Sequence, residues 1–482
     1  MLPPNASRIE AHALVRLLAM IRLFHVYFPS RTLLLAFSEA VLVVGALMVA
    51  FILRFRGDFA LALVYEQGTL KVAVPTLVLM LCMYYYDLYD YLVLHRTAEI
   101  LIRLVQVLGT TSVILAVLYY AFPDLQLGRG PFIIWIALTG IILTGWRQLF
   151  AALNKVPDLA ERTVLLGAGP ISTCLAAEIQ ARPELGIKLL GFLEAPANIG
   201  EGTDGLLYLG DVEQLPNVVK RQDVQRVILT MSDRRGRLPV DMLLDLKGRG
   251  LIIQDAPDVY EAIAGKIFLN SLRPSEILFS NGFRVSRLTL LYKRLASIVL
   301  ATAGILVAGP AMLLVALAIR LDSPGPAMFR QKRVGKGGKT FTILKFRSMR
   351  VNADAEGPPR PAMDHDDRVT RVGYWIRRLR IDELPQLFNI LRGDMYFIGP
   401  RPFVPHAEAE LTRQIPYYSQ RWIVKPGATG WAQVNRGYCA SLDDNVDKLG
   451  YDLFYIKNLS IGLDCLVLFQ TLKIMLLGRG GR

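Results

Sequence analysis

The sequence predicts a membrane protein of three parts: a four-helix transmembrane bundle, an α/β module with a parallel sheet, and a mixed α/β domain that holds a re-entrant membrane helix. Hydrophobic residues make up 53% of the 482 residues and charged residues only 20%, below the roughly 25% of average soluble domains. Five long apolar runs occur, four of them before residue 155. After the fourth run, short apolar segments alternate with helical ones. These observations exclude a disordered chain and a simple cytosolic enzyme.

Four apolar runs predict the transmembrane helices. They are Leu33–Leu53, Val72–Leu94, Leu104–Phe122 and Phe132–Phe150. Each is close to the ~20 residues that cross a bilayer. Basic residues flank the N-terminus, the middle loop and the exit of the fourth run, which favours placing all three in the cytoplasm. Residues 1–155 are therefore the first predicted domain, with an amphipathic helix at Ala13–Phe28 on the membrane surface ahead of the spans.

Glu39 lies inside the first apolar run, where an acidic residue is costly. One interpretation is a polar contact with a substrate lipid. The other, which is favoured, is a partner elsewhere in the helix bundle.

Residues 156–285 predict the α/β module. Strands are expected at Thr163–Leu166, Lys188–Leu193, Val227–Thr230 and Leu251–Gln254. Alternating strands and helices are typical of a parallel, doubly wound sheet. The turn Gly167-Ala168-Gly169 follows the first strand, but Ser172 stands where the dinucleotide pattern needs a third glycine, and no well-placed acid follows about 20 residues on. We therefore expect a Rossmann-like module, with a structural or regulatory role favoured over retained nucleotide binding.

The fifth apolar run, residues 295–321, contains Gly309-Pro310. Proline removes a helical hydrogen bond, so the run is either a kinked span or a re-entrant helical hairpin. The densely basic segment Arg330–Arg350 should stay in the cytoplasm, as should the soluble region before the run. A span would put the two on opposite faces. Re-entry is therefore predicted, within a third domain at 286–482.

The strongest candidate for chemistry is the pair Asp382 and Glu383. Pro385 predicts a helix start at this point, so the two acids could be no more than an N-cap and a dipole partner. The surroundings are cationic, however, with Arg377 before the pair and Arg401 after it. Arginines lower a carboxylate pKa and bind phosphate. One carboxylate could attack phosphorus and the other hold Mg²⁺, while the arginines neutralise charge on the phosphoryl group.

Five motifs in a fixed order carry a resemblance to a known family. They are Lys293-Arg294, Gln331–Gly335 (QKRVG), Lys345–Met349 (KFRSM), Asp382–Leu387 (DELPQL) with Gly393-Asp394-Met395 and Gly399–Pro402 (GPRP), and Lys425–Asn435 (KPGATGWAQVN). Together they resemble the bacterial polyprenyl-phosphate hexose-1-phosphate transferases, the monotopic phosphoglycosyl transferases. The preceding spans and Rossmann-like module look like the large form of that family, which initiates exopolysaccharide or O-antigen assembly.

The resemblance implies a reaction and site residues. The enzyme would take a sugar-1-phosphate from a UDP-sugar, release UMP, and pass the phosphosugar to undecaprenyl phosphate. Asp382 matches the family nucleophile and Glu383 its acidic neighbour, and this pair is the candidate Mg²⁺ site. Arg377 and Arg401 match arginines that engage phosphate. Gly309-Pro310 matches the break that makes the membrane helix re-entrant.

Three further basic residues are candidates for the substrate phosphates: Lys345, Arg347 and Arg333. For each of them, contact with lipid headgroups is the alternative.

The net charge of +14 fits an anionic membrane surface or phosphate-bearing substrates, and the long apolar runs argue against nucleic acid. The expected setting is the bacterial inner membrane, with the catalytic domain on the cytoplasmic face and a homodimer as the assembly. Two other functions stay open: a nucleotide- or sugar-sensing membrane regulator, and a scaffold of a polysaccharide synthesis complex. No residue selects the sugar.

Overall fold

The structure is a computed structural model that describes residues 21–23, 26–55, 68–90, 97–153, 160–195, 205–231, 234, 237–272, 274–279, 281–283, 285–351, 366–436 and 441–477. The chain divides into two compact units, one reaching to Asp255 and one running from Ala256 to the C-terminus together with Leu23–Val26. The predicted domain boundary after residue 285 stays a prediction, since the compact units divide at a different place, after Asp255. The predicted amphipathic helix lies partly outside the described residues, and its described part forms two short paired strands instead, β1 (Ile21–Leu23) and β2 (Val26–Phe28).

Four apolar helices follow, at the positions of the predicted spans. They are α1 (Ser30–Phe55), α2 (Gly68–Tyr85), α3 (Thr97–Ala121) and α4 (Arg129–Leu153). Each is long and apolar enough to cross a membrane. Their facing side chains, such as Leu47, Leu79 and Trp135, share one buried core. Large apolar side chains such as Phe37 and Val105 are exposed on the outside, as a lipid environment requires.

Glu39 has its partner inside this first core. Arg147 Nε lies 2.6 Å from Glu39 Oε1, and Arg147 Nη2 donates to Glu39 Oε2 at 3.0 Å. A third donor of the same guanidinium reaches the carbonyl oxygen of Leu88 at 2.7 Å. Both charged side chains are fully buried. The interpretation of Glu39 as a residue partnered within the helix bundle is confirmed.

The rest of the first unit is the predicted parallel α/β module. Its strands are β3 (Glu161–Leu166), β4 (Ile187–Leu193), β5 (Tyr208–Gly210), β6 (Arg226–Leu229) and β7 (Ile252–Asp255), in the order β5-β4-β3-β6-β7. Three helices connect them: α5 (Pro170–Ala181), α6 (Leu215–Gln222) and α7 (Val240–Gly248). All neighbouring strands run parallel. The sequence analysis did not predict β5 or α6. For β5 the reason is its length, since a three-residue edge strand shows no periodicity.

The second unit contains the long membrane helix and the mixed α/β fold. Its helices are α8 (Ala256–Ala264), α9 (Pro274–Phe279), α10 (Arg287–Asp322), α11 (Arg371–Arg378), α12 (Gln386–Arg392), α13 (Pro405–Gln414), α14 (Trp431–Asn435), α15 (Leu442–Lys457) and α16 (Ile461–Leu476). Strands β8 (Met328–Val334) and β9 (Thr340–Phe346) form an antiparallel hairpin, and β10 (Tyr396–Ile398) pairs in parallel with β11 (Gly427–Thr429).

Chain segments from both sides of α10 share one hydrophobic core. Ile267, which precedes the helix, is buried with Val424 and Leu453, which follow it. The Ile267 N–H donates to the carbonyl oxygen of Gly450 at 3.1 Å, and the Trp431 indole donates to the carbonyl oxygen of Gly265 at 2.8 Å. These contacts explain why the unit boundary lies at Asp255, since α8 and the residues after it belong to the core of the second unit.

Helix α10 is continuous over 36 residues, with Pro310 in its interior. Helical geometry continues through Gly309 and Pro310, where the sequence predicted a break. Pro310 removes one hydrogen bond and leaves the turns on either side joined. The pair therefore does not end the helix.

From Lys293 to Ile319, α10 packs on the rest of the second unit. Its first half contributes Ala301 to a core with Ile343 on β9, and its second half contributes Met312 and Ile319 to a core with Phe346. The opposite face is uncovered and apolar. Its exposed side chains include Leu295, Val299, Leu306, Val307, Leu313, Leu314, Leu317 and Leu321.

Candidate active site

The β8–β9 hairpin forms the floor of the site. In its register Gln331 lies opposite Ile343 and Phe329 opposite Lys345. Side chains alternate across a strand, so Arg333, Gln331 and Lys345 share one face with Ile343. Ile343 is buried in a core that includes α12. This anchoring sets the two basic side chains beneath the segment that leads into α12.

Asp382 and Glu383 lie in a single 3₁₀ turn, Ile381–Glu383, between α11 and α12. Arg380, just before the turn, has φ 56°, a left-handed conformation that residues with a Cβ adopt at a cost of about 1–2 kcal/mol. Such strain is found where the surrounding structure imposes it, often at functional sites. Helix α12 starts after Pro385, and it has no side-chain cap. The two acids are therefore not the helix cap that the sequence left open as an alternative.

Glu383 is held by two cations. Lys345 Nζ donates to Glu383 Oε1 at 2.7 Å, and Arg401 Nη2 donates to the same oxygen at 2.8 Å. Oε2 faces Arg380 Nη1 at 3.9 Å. Burial alone would raise the pKa of this carboxyl, but Arg401 and Lys345 outweigh burial and hold the pKa well below its usual range. Glu383 is therefore ionised and fixed in place.

The Asp382 carboxylate differs from that of Glu383 both in its hydrogen bonding and in the direction of its pKa shift. Its carboxylate accepts no hydrogen bond from the part of the chain that the structure describes. Burial raises its pKa to about 6, against the opposing influence of Lys345 and with a further rise from Glu383. The prediction that nearby arginines would lower the pKa is therefore correct for Glu383 and wrong for Asp382, because desolvation dominates there. Asp382 is the more basic carboxylate of the pair and the one with unused lone pairs.

Arg401 comes from the loop that follows β10. Gly399 begins this loop at a very close crossing of β10 and β11, where a Cβ on Gly399 would lie 2.7 Å from the carbonyl oxygen of Lys425. A Cβ on Gly427 would lie 2.0 Å from the Gly399 nitrogen. Both positions therefore require glycine, which lets the loop start close against β11 and deliver Arg401 to Glu383.

The remaining predicted cations divide into two groups. Arg377, at the end of α11, acts electrostatically on Asp382. Arg333 donates to the carbonyl oxygen of Pro402 at 3.2 Å, and burial together with the nearby Arg401 lowers the pKa of Arg333 to about 10. These two belong to the same site as Lys345 and Arg401.

Arg347 does not belong to it. Its guanidinium donates to the carbonyl oxygens of Ser323 at 2.7 Å and Pro324 at 2.8 Å, at the C-terminal end of α10. Cations are favourable where a helix leaves carbonyl groups unpaired. The predicted phosphate contact of Arg347 is therefore replaced by a helix-capping role, which the sequence pattern alone does not distinguish.

A divalent cation would find two carboxylates here. Within the described residues no group of three or more His, Cys, Asp or Glu side chains is placed to hold a metal ion. Mg²⁺ usually takes one or two carboxylates and completes its shell with water and substrate phosphates. Asp382 and Glu383 Oε2 fit that pattern, since Lys345 and Arg401 occupy only Oε1 of Glu383.

An acidic side chain lies against the glycine turn Gly167–Gly169 of the α/β module. The sequence analysis found no well-placed acid for this turn, and that prediction is wrong. Glu194, directly after β4, is buried, and its Oε2 accepts from the Ala168 N–H at 3.1 Å. Arg237 pairs with Glu194 Oε1 at 2.9 Å. Ser172, in place of the third glycine, bonds to Gly167 and Gly169 across the turn. The sequence signal for Glu194 is its place at the carboxyl end of a predicted strand.

Comparisons with known proteins find two families and several relatives that this chain resembles in sequence. Residues 288–478 match the bacterial sugar transferase family, and residues 85–245 match a CoA-binding domain. A UDP-N-acetylgalactosamine-undecaprenyl-phosphate N-acetylgalactosaminephosphotransferase of Aeromonas hydrophila is 45% identical over 46% of this chain, and the match spans 52% of that protein.

Two further relatives match over greater lengths, and both are named UDP-glucose:undecaprenyl-phosphate glucose-1-phosphate transferase. The one from Xanthomonas campestris pv. campestris is 32% identical over 72% of this chain and 74% of its own length. The one from Klebsiella pneumoniae is 30% identical over 73% of this chain and 76% of its own length. The names of these relatives specify different sugars, so the comparisons do not identify the sugar that this chain would transfer.

Proposed function

The chain belongs to the bacterial sugar transferase family, and from that premise we propose that it transfers a sugar-1-phosphate from a UDP-sugar to undecaprenyl phosphate and releases UMP. One observation carries the proposal. Of two adjacent carboxylates, Glu383 is fixed by Lys345 and Arg401, whereas Asp382 accepts no hydrogen bond from the described residues. This contrast supports separate roles, with Asp382 as nucleophile and Glu383 as the residue that organises the cations.

The reaction has two balanced half-reactions. A carboxylate oxygen of Asp382 attacks the phosphorus that bears the sugar, and the bond from that phosphorus to the oxygen of UMP breaks with its electron pair leaving on UMP. The product is a phosphosugar joined to Asp382 through an acyl phosphate bond. A phosphate oxygen of undecaprenyl phosphate then attacks the same phosphorus and displaces the Asp382 carboxylate. The chain is regenerated, and the lipid carries a diphosphate-linked sugar.

The charges around the pair suit this chemistry. Five cations, Lys345, Arg333, Arg377, Arg380 and Arg401, act on Asp382, on Glu383 or on one another. These cations outnumber the two carboxylates, and the excess positive charge would attract a diphosphate. Fixed cations aimed at a transferring phosphoryl group stabilise the charge that develops there without reorganisation.

Mg²⁺ is part of the proposal. Asp382 and Glu383 Oε2 would hold it, and when bound it would neutralise charge on the diphosphate. Lys345 and Arg401 would keep Glu383 ionised and correctly oriented for that role.

We also propose a membrane placement for the apolar helices. Helices α1 to α4 cross the bacterial inner membrane. Helix α10 enters and leaves the leaflet from the cytoplasmic face as one continuous helix that bends at Pro310 and does not end there, and anionic lipids on that face attract the basic chain. The support for re-entry is the shared core of residues before and after α10, such as Ile267 and Val424, together with the uncovered apolar face of that helix. A homodimer stays a prediction.

Cysteine accessibility tests the placement of α10. Asn270 and Lys336 are exposed residues on either side of it. In a background without native cysteines, Asn270→Cys and Lys336→Cys should both react with an impermeant maleimide in inside-out vesicles and not in right-side-out vesicles. Labelling of the two variants from opposite sides would mean that α10 spans the bilayer.

The reaction is tested by UMP release. Purified full-length protein with Mg²⁺ and undecaprenyl phosphate should release UMP from one or more members of a panel of UDP-sugars, including UDP-glucose, UDP-galactose and their N-acetylated forms. The UDP-sugar from which UMP is released is then identified as the donor substrate. If folded protein releases UMP from none of them, the transferase proposal fails, and the regulator or scaffold interpretation takes its place.

A further inference from the structure

We propose that Arg421 is a positioning residue that holds Arg401 on Glu383, a role that rests on the proposed function of this site. Arg421 lies in none of the ordered motifs that carried the family resemblance. It is 5% exposed and does not face the reacting carboxylates directly. Its influence passes through the backbone of the loop that bears Arg401.

Each terminal nitrogen of Arg421 has two hydrogen-bond partners among the described residues. One terminal nitrogen, Nη2, donates to the carbonyl oxygen of Arg401 at 2.8 Å and to Asp452 Oδ2 at 2.8 Å. The other, Nη1, donates to the Tyr418 hydroxyl at 2.6 Å and to Glu408 Oε1 at 3.3 Å. The guanidinium carbon lies 5.0 Å from the centre of the Phe403 ring and 5.0 Å from that of Tyr418. Two buried carboxylates and two aromatic rings thus fix the plane of the guanidinium.

The loop that Arg421 contacts has a donor on each carbonyl from Pro400 to Phe403. The donors, in order, are the Gly427 N–H, Arg421 Nη2, Arg333 Nη1 and the Val334 N–H. Two of the four are arginine side chains. Prolines on both sides of Arg401 restrict the backbone further, since their φ angles are fixed. The loop is therefore held at each residue, and Arg421 holds the residue whose side chain reaches the catalytic pair.

This arrangement makes a specific demand on the side chain at 421. Only a planar guanidinium can donate from two nitrogens to a carbonyl, a hydroxyl and two carboxylates together. A lysine keeps the positive charge between Glu408 and Asp452 but offers one nitrogen. The Arg421→Lys variant should therefore keep the charge balance of the network and lose the grip on the Arg401 carbonyl.

A double-mutant cycle with Arg401 tests the proposal. Arg421→Lys should lower kcat for UMP release by roughly 10- to 100-fold, the cost of a small misplacement of a catalytic group, with a smaller change in KM for the UDP-sugar. In an Arg401→Ala background the same substitution should lower kcat by less than about threefold, because the group it positions is gone. Equal losses of kcat in both backgrounds would overturn the proposal.

A merely structural role would give a different pattern. If Arg421 only stabilised the fold, Arg421→Lys would lower the thermal midpoint of unfolding both with Arg401 present and in the Arg401→Ala background. The loss of kcat would then be the same in the two backgrounds. Tyr418→Phe is the milder variant if Arg421→Lys folds poorly, because it removes one acceptor of Arg421 and should show the same dependence on Arg401. Arg413→Lys is the matched control, since Arg413 is largely exposed on α13 and pairs only with Glu410 among the described residues.

Thermal unfolding tests the positioning role of Arg421 without measuring enzyme activity, so a failure of this proposal can be distinguished from a failure of the proposed function. The coupling between Arg401→Ala and Glu383→Gln in thermal unfolding should be measurable in the wild-type background and should vanish in the Arg421→Lys background. This result is expected even if no UDP-sugar releases UMP. A coupling that is unchanged by Arg421→Lys would refute the positioning role whatever the reaction proves to be.

Discussion

Asp382→Asn should lower UMP release by at least about 10⁴-fold, the size of loss seen when a covalent nucleophile is removed from an enzyme. The amide oxygen carries no negative charge and cannot form an acyl phosphate. The thermal midpoint should change little, because the Asp382 carboxylate accepts no hydrogen bond from the described residues. The measurement is initial UMP release at saturating UDP-sugar.

Asp443→Asn is the matched control for this substitution. Asp443 is an exposed residue in the first turn of α15, and its replacement should leave UMP release unchanged. If Asp382→Asn kept UMP release within tenfold of wild type, the carboxylate would not be the nucleophile.

Asp464→Asn should destabilise the second unit by about 3–5 kcal/mol, because it leaves the Lys293 ammonium buried without its counter-charge. Lys293 Nζ lies 2.8 Å and 3.0 Å from the two carboxylate oxygens of Asp464, and their side chains are 2% and 7% exposed. The Tyr455 hydroxyl donates to Asp464 Oδ1 and accepts from Lys293. This cluster joins α10, α15 and α16. The measurement is denaturant unfolding in detergent or nanodiscs.

The double variant Lys293→Met with Asp464→Leu provides the comparison. Since both buried charges are then absent, it should lose less stability than Asp464→Asn alone. Lys332→Met, on an exposed residue of β8, should be neutral. A loss below about 1 kcal/mol for Asp464→Asn would show that the pair is hydrated, as surface pairs are.

Much of the fold follows from local patterns in the sequence. The apolar runs placed α1 and α4 to within three residues at each end, because a bilayer demands about 20 apolar residues in succession. They were less exact for α2, which ends at Tyr85 and not at Leu94, and for α3, which begins at Thr97 and not at Leu104. The strands β3, β4, β6 and β7 followed from short apolar segments between helical ones. The exceptions depend on distant contacts. The segment around Ile267 looks like the end of the α/β module, and only its packing with Leu453 assigns it to the second unit.

The candidate site was predictable in its residue types and less so in its electrostatics. The charge pattern and the ordered family motifs together pointed to Asp382, Glu383, Arg377 and Arg401. They could not show that burial would outweigh the cations at Asp382 and not at Glu383, because that balance depends on which oxygens the cations reach. The sequence likewise could not show that Arg347 donates to carbonyl oxygens at the end of α10 and is not part of the site.

Buried arginines are the other class that sequence reasoning missed. In a basic protein Arg421 looks like one more surface cation. Its importance depends on Glu408 and Asp452, which lie 13 residues before it and 31 residues after it. Contacts of that separation leave no periodic signal in a single sequence.

Mass spectrometry of the protein after incubation with its UDP-sugar donor, with no undecaprenyl phosphate added, tests the covalent step most directly. The mechanism predicts one added sugar-phosphate group per chain, located in the peptide that contains Asp382, and lost when undecaprenyl phosphate is supplied. Rapid UMP release without any added mass, or a sugar-phosphate group on a different residue, would contradict it.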